Sequence, residues 1–191
     1  MKIEDRLGAC AIVYSVKDDK VLMGLRSDTH KWSFAGGKAE KEDNNNLLCT
    51  AIRELKEEFG VELNIDDKNL SYFDLENAVV PGYKRVKHEN SPDTFEETFY
   101  NTRIFLFLFD DINEVKKHMI SNTDEEMSNI QWVDINNVFN FDKLMLSTIS
   151  VYNVVRIFLK IMRSDYWKNY GKNEEENSDF DEVDWKEYKG Y

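Results

Sequence analysis

The run Arg53-Glu54-Leu55-Lys56-Glu57-Glu58-Phe59-Gly60-Val61 constrains this chain more than any other stretch, because it joins helical spacing, clustered acids and a glycine stop. At about 3.6 residues per turn, Glu57 and Glu58 lie roughly one turn beyond Glu54, so the three carboxylates line one edge of a helix. Like charges at that spacing oppose the helix by a few tenths of a kcal/mol per pair, and a cation or basic partner is needed to offset them. Oxygen donors alone point to a hard ion, Mg2+ or Mn2+. Upstream, Asn44-Asn45-Asn46 supplies turn formers, and Asn46 is expected to cap a helix running from Leu47 to Phe59.

The flanking residues give the acids a context. Leu22-Met23-Gly24-Leu25-Arg26-Ser27 reads as a strand end, and Trp32-Ser33-Phe34-Ala35-Gly36-Gly37-Lys38-Ala39-Glu40 leads an aromatic-flanked double glycine through an acidic loop into the helix. This layout resembles the Nudix box, G-x5-E-x7-R-E-U-x-E-E-x-G-U with U aliphatic, and the second half is matched at every defined position from Arg53 to Val61. The first half departs from it. Counting from Gly37, the expected glutamate falls on Asp43, and the stretch to Arg53 is two residues longer than the pattern, an excess that Asn44 to Asn46 absorb.

The resemblance implies an α/β fold, the Nudix α/β/α sandwich, with a central mixed sheet and a loop-helix-loop metal site. It also implies Mg2+ (or Mn2+) held by Glu54, Glu57, Glu58 and the backbone carbonyl of Gly37, and a water molecule attacking phosphorus in a diphosphate. Asp43, or its neighbour Glu42, stands where the family has a glutamate that pairs with the box arginine. Arg53, four residues before Glu57, is placed to orient a carboxylate. For the general base two residues compete: Glu57 beside the metal, and Glu126 in an acidic stretch before Trp132-Val133, with Glu96 and Glu97 behind them. The expected substrate contacts are Arg26 for a phosphate, Trp32 and Phe34 for a base, Lys38 beside the double glycine, and Arg85 within the basic cluster Lys84, Arg85, Lys87 and His88. His30 and His118 stand alone and read as surface residues.

Diphosphate bridges resist water because every non-bridging oxygen carries charge, so the expected reaction depends on cations that screen the approach. The substrate class is a nucleoside diphosphate linked to another group, or a (deoxy)nucleoside triphosphate. The alternative from another class is a nucleotide-binding sensor of the same fold without turnover, against which the three intact acids count.

With 191 residues, 41% of them hydrophobic, the chain can bury one sizeable core. A formal charge of −12 argues against nonspecific nucleic-acid binding and against an anionic membrane surface. The charged N-terminus lacks a signal-like apolar stretch, and Ile104 to Phe109 is too short to span a bilayer, so a cytoplasmic location is expected. Cys10 and Cys49 read as buried thiols of a reducing compartment.

Leu7 to Val16 and Lys20 to Arg26 are expected strands joined through Lys17-Asp18-Asp19, followed after the helix by Val61 to Ile65 and Leu70 to Asn77. Pro81 to Glu97, which holds both prolines, reads as a loop or edge excursion; Phe99 to Asp110 as a strand buried on both faces; Asn129 to Val133 as the last strand. A long helix is expected from Asp142 to about Tyr170. The Nudix domain is thus expected over 1–172, with 173–191 an acidic, disordered tail whose Phe180, Val183, Trp185 and Tyr188 offer anchors for a protein partner. A homodimer is compatible with this reading.

Overall fold

The computed structural model describes residues 3–44, 46–88, 91–120 and 126–163, and for 3–6, 76–79, 81–88 and 91–99 the backbone alone. The chain divides into two compact units, 1–154 and 155–191. Of the second unit only 155–163, the end of the last helix, is described, so the expected tail at 173–191 lies outside the described residues.

Alternation of apolar and small residues builds the first strand, β1 (Ile3–Ser15), which turns through 16–19 into β2 (Lys20–Arg26). Asp18 and Asp19 close the turn by accepting from the Ser15 and Tyr14 hydroxyls. Two short strands follow, β3 (Trp32–Ser33) and β4 (Ala35–Lys38), then a 3-10 turn at Lys41–Asp43 and helix α1 (Leu47–Phe59). Beyond them lie β5 (Ser71–His88), β6 (Ser91–Phe109), the short helix α2 (Ile112–Lys116), β7 (Met127–Asp134), a 3-10 turn at Ile135–Asn140, and α3 (Leu146–Met162).

The seven strands form one mixed sheet with the spatial order β3-β2-β1-β6-β5, β4 also pairing with β1 and β7 with β2. Among these strands only β1 and β6 run parallel, from Ile3 opposite Phe99 to Ser15 opposite Phe109, with a register shift between Glu4 and Leu7. Because strand side chains alternate, β1 serves both faces. Ala9, Ala11 and Val13 join Phe105 and Phe107 in the core beneath α1, which contributes Ala51, Leu55 and Phe59. Cys10, Ile12 and Tyr14 fall on the opposite face and are buried as well. Ile104 to Phe107 is buried on both faces, as its unbroken apolar run requires.

Three expectations are corrected. Of the two readings of Pro81 to Glu97, loop or edge excursion, the loop is corrected: its described backbone continues the edge strand β5 and β6 as a hairpin, with Pro81 opposite Phe99 and Lys84 opposite Glu96. Proline suits an edge strand such as β5, whose free side bonds no neighbouring strand. Val61 to Ile65 forms no strand, only one bridge from Val61 to Met119. The last helix starts at Leu146 rather than Asp142. Among the described residues no helix is long and apolar enough to cross a membrane.

Candidate active site

Helix α1 begins where Asn46 stops the extended chain: its side-chain oxygen accepts from the Leu48 N–H at 3.0 Å, satisfying a donor that the first turn leaves without an intrahelical partner. It ends at Gly60, whose φ of 65° suits a residue without a Cβ and lets its N–H return to the carbonyls of Leu55 and Lys56. The longer loop before the helix folds into the 3-10 turn Lys41–Asp43, closed by a reciprocal cap between Glu40 and Asp43, with Asn44 in the left-handed region at φ 52°.

The loop and helix are bolted together by Arg53. Its Nε and Nη2 donate to the two oxygens of Asp43 at 3.1 and 3.2 Å, and Nη2 also reaches the Lys38 carbonyl at 2.9 Å. Nη1 meets Glu57 at 2.8 Å and Glu54 at 2.9 Å. Asp43 is buried and Glu42 exposed, so of the two candidates it is Asp43 that meets the arginine.

Glu54 and Glu58, four residues apart, turn inward; Glu57 is exposed beside them. Glu58 accepts from the Gly36 N–H at 2.8 Å and from Arg26 at 3.4 Å. The Glu54 carboxylate lies against Gly37, where any Cβ would collide with it. A Cβ on Gly36 would strike the Ala9 carbonyl of β1, so the double glycine is what allows β4 to run between β1 and the acids.

Arg26 is the second junction. Its guanidinium pairs with Glu58, with Asp28 at 3.0 Å, and closely with Glu126. Glu126, expected from a distant acidic stretch, is thereby brought to the box acids, and its charge acts on both Glu54 and Glu58. The phosphate grip expected of Arg26 is, in this arrangement, taken by three carboxylates.

Burial pushes the Glu58 carboxyl up to about 8; the charges of Glu54 and Glu126 add to this, while the Gly36 N–H and Arg26 oppose it. Burial likewise raises Glu54 to about 6, Arg53 opposing and Glu57 and Glu126 adding. The Cys10 thiol is raised by its own burial and then by Glu58 and Glu54. Among the described residues no group of three or more His, Cys, Asp or Glu side chains is arranged to hold a metal ion; Arg53 and Arg26 hold the acids instead. The donor set nonetheless fits a hard divalent cation. Two buried carboxylates destabilised by each other and by their neighbours gain most from added positive charge, and the Gly37 backbone lies against one of them.

A pH dependence follows. With folded-state values near 6 and 8, above the ordinary carboxylate range, the folded protein binds more protons than the unfolded chain between about pH 5 and pH 8. Its stability without divalent cations therefore falls as pH rises through that window. Melting curves in chelator should show the decline, and excess Mg2+, which favours the ionised acids, should flatten or reverse it. A chelator profile that rises toward pH 8 would show that these acids are not destabilised by burial.

On its other side β4 lines a cavity of about 390 Å³. Arg26, Gly37 and Lys38 border it together with Cys10 and Phe34, and Tyr100 and Thr148 line it from β6 and α3. Of the expected substrate contacts, Arg26, Phe34 and Lys38 are thus brought together. Trp32 is not among them: it packs on Phe141 with ring centroids 4.8 Å apart, and its backbone bonds to Lys143 and Met145. The backbone of Arg85 lies in β5 opposite Phe95, and its side chain is outside the described residues, as are those of Glu96 and Glu97. Sequence reading missed Cys10, Tyr100 and Thr148 as cavity residues. Strand alternation about the buried run could have found Tyr100, whereas Thr148 carries no local mark.

A mixed sheet flanked by helices, with an acid-bearing helix entered from a double-glycine strand, defines the loop-helix-loop class of α/β/α sandwich. A family model described as the NUDIX domain matches residues 5–152, and the chain belongs to the Nudix family. No curated protein sequence matches it. Among solved structures it resembles the NUDIX domain of Shewanella oneidensis NrtR complexed with ADP ribose, at 15% identity and a TM-score of 0.55, covering 83% of this chain and 90% of that one. It also resembles the E. coli dihydroneopterin triphosphate pyrophosphohydrolase, at 18% identity and a TM-score of 0.51, covering 81% and 99%. A third is a bifunctional NMN adenylyltransferase/ADP ribose pyrophosphatase from Francisella tularensis, at 18% identity and a TM-score of 0.51, covering 84% of this chain and 42% of that one.

Proposed function

We propose that this protein hydrolyses a diphosphate bond in a nucleoside diphosphate linked to another group, or in a (deoxy)nucleoside triphosphate, with Mg2+ or Mn2+ as cofactor. The observation that carries the reading is the double role of β4. One short strand borders a cavity of about 390 Å³ and at the same time touches Glu54, Glu58 and Arg53. That volume lies in the range of small-ligand sites, and Lys38 on its border suits the phosphate end of a nucleotide, while Arg26 beside it is held by its three carboxylates.

Glu54, Glu57, Glu58 and the Gly37 carbonyl would hold the cation. When bound, it supplies charge neutralisation of the diphosphate oxygens and a lowered pKa for water. Arg53 keeps the rotamers of Glu54 and Glu57 by direct ion pairs and ties them to the loop through Asp43 and the Lys38 carbonyl. We assign proton acceptance to Glu126, which Arg26 joins to Glu58, with Glu57 as the other candidate. The water oxygen bonds to phosphorus, the bridging P–O bond breaks, one water proton goes to the carboxylate, and the departing phosphate carries away the bridging oxygen. Phe34 and the apolar wall of the cavity would take the nucleoside.

The test is a panel of nucleoside triphosphates and nucleoside diphosphate conjugates with Mg2+, then Mn2+, in 18O-labelled water. One 18O atom in a phosphate product of at least one substrate is expected. Binding of nucleotides without any turnover would replace the hydrolase by a nucleotide sensor of the same fold.

A further inference from the structure

Thr50 is fully buried in the first turn of α1, and its hydroxyl proton has two acceptors in reach. One is the carbonyl of Asn46, one turn back, at 3.5 Å; the other is the Asp43 carboxylate at 2.9 Å. The shorter bond goes to the charged oxygen, where a hydrogen bond is stronger. Asp43 Oδ2 thus receives Thr50, the Glu40 N–H at 2.9 Å and Arg53 Nη2, while Oδ1 receives Arg53 Nε.

Asp43 is one methylene shorter than the glutamate expected at its place and stands in a loop two residues longer than the pattern. Within the loop the Glu40 N–H holds one oxygen of its carboxylate, and the remaining bonds come from helix α1. The Thr50 hydroxyl supplies a bond from the rigid helix, and Arg53 carries the resulting position onward to Glu54, Glu57 and the Lys38 carbonyl. We propose that Thr50 is a positioning residue of the cation site, acting through Asp43 and Arg53. The proposal deepens the hydrolase reading and rests on it for its catalytic meaning. The chain Thr50–Asp43–Arg53 itself consists of direct contacts.

Thr50→Val keeps the volume and removes the hydroxyl, while Thr50→Ser keeps the hydroxyl. Mg2+ and Mn2+ binding to the full chain is measured by calorimetry and by the metal-induced shift in melting temperature, alongside the Arg53 Nε–H proton resonance. Thr50→Val is expected to weaken cation binding about tenfold, the scale of a lost outer partner, and to move or broaden the Arg53 resonance. Turnover should recover at saturating Mg2+, and Thr50→Ser should stay within about twofold of the parent on the same scale. Unchanged cation affinity and Arg53 resonance in Thr50→Val would overturn the proposal, as would an equal loss in Thr50→Ser. Should the parent bind cations without hydrolysing any nucleotide, the hydrolase reading falls while these comparisons still decide the role of Thr50. Should it bind none, the Arg53 resonance decides whether Thr50 positions the arginine, and the link to a cation is overturned.

Discussion

Replacing Glu58 by glutamine is expected to cut hydrolysis by on the order of a thousandfold and, in the same protein, to raise the melting temperature of the metal-free form near pH 8. The two effects have one origin. Glu58 is 2% exposed, and its charge is disfavoured by burial and then by Glu54 and Glu126. A neutral amide of nearly equal size removes that penalty, and its oxygen still accepts from the Gly36 N–H and Arg26. What it cannot do is bind a divalent cation as an anion. Turnover and melting in chelator should be read on one preparation. Turnover within about threefold of the parent would remove Glu58 from the cation site, and an unchanged or lower melting temperature would remove the electrostatic penalty.

Arg53→Ala is expected to cost about 3 kcal/mol of folding stability, because it strands the buried Asp43 charge. Burial alone would raise the Asp43 carboxyl; Arg53, the Glu40 N–H and the Thr50 hydroxyl outweigh it and hold the group below its ordinary range. Two of those three supports survive the substitution, so the loss belongs at the lower end for a broken buried pair. Since a depressed carboxylate contributes stability only where it is ionised, the difference from the parent should shrink as pH falls below about 4. Urea unfolding at pH 7 and in acid measures both; a loss under about 1 kcal/mol at pH 7 would mean that the loop holds Asp43 without the arginine. Arg53→Lys tests geometry, since one ammonium cannot span Asp43, Glu57 and the Lys38 carbonyl as the fork does.

Where function depended on local chemistry, the sequence was readable. Asn46 was recognisable as a cap because asparagine directly precedes an apolar periodic run, and Gly60 as a stop because it follows one. The mixed sheet was implied by the resemblance to the Nudix box, and the unbroken apolar run from Ile104 to Phe109 read as a strand buried on both faces. The hairpin through Pro81 to Glu97 was misread because prolines and charges signal loops, yet both prolines lie where strands have a free edge: Pro81 in β5, and Pro92 in the part of β6 that β1 does not reach. The cavity was illegible for a different reason. Cys10, Phe34, Tyr100 and Thr148 meet there from β1, the link between β3 and β4, β6 and α3, and no window of sequence contains that meeting. Trp32 shows how packing competes with such a reading. An aromatic residue near a double glycine suggested stacking on a base, and the structure packs its ring on Phe141.

The parallel pairing of β1 with β6 also sets a timetable. Of the strands of this sheet, the one needed in its middle, β1, is synthesised before its partner β6, and Ser15 pairs with Phe109. At typical elongation rates, roughly 5–20 s pass between those two residues. Throughout that interval the apolar stretch from Ala9 to Val13 has β2 and β4 available on one side and nothing on the other. Nascent chains of this protein should therefore engage holding chaperones until β6 emerges, and its slowest refolding phase should be the closure of that long-range pair.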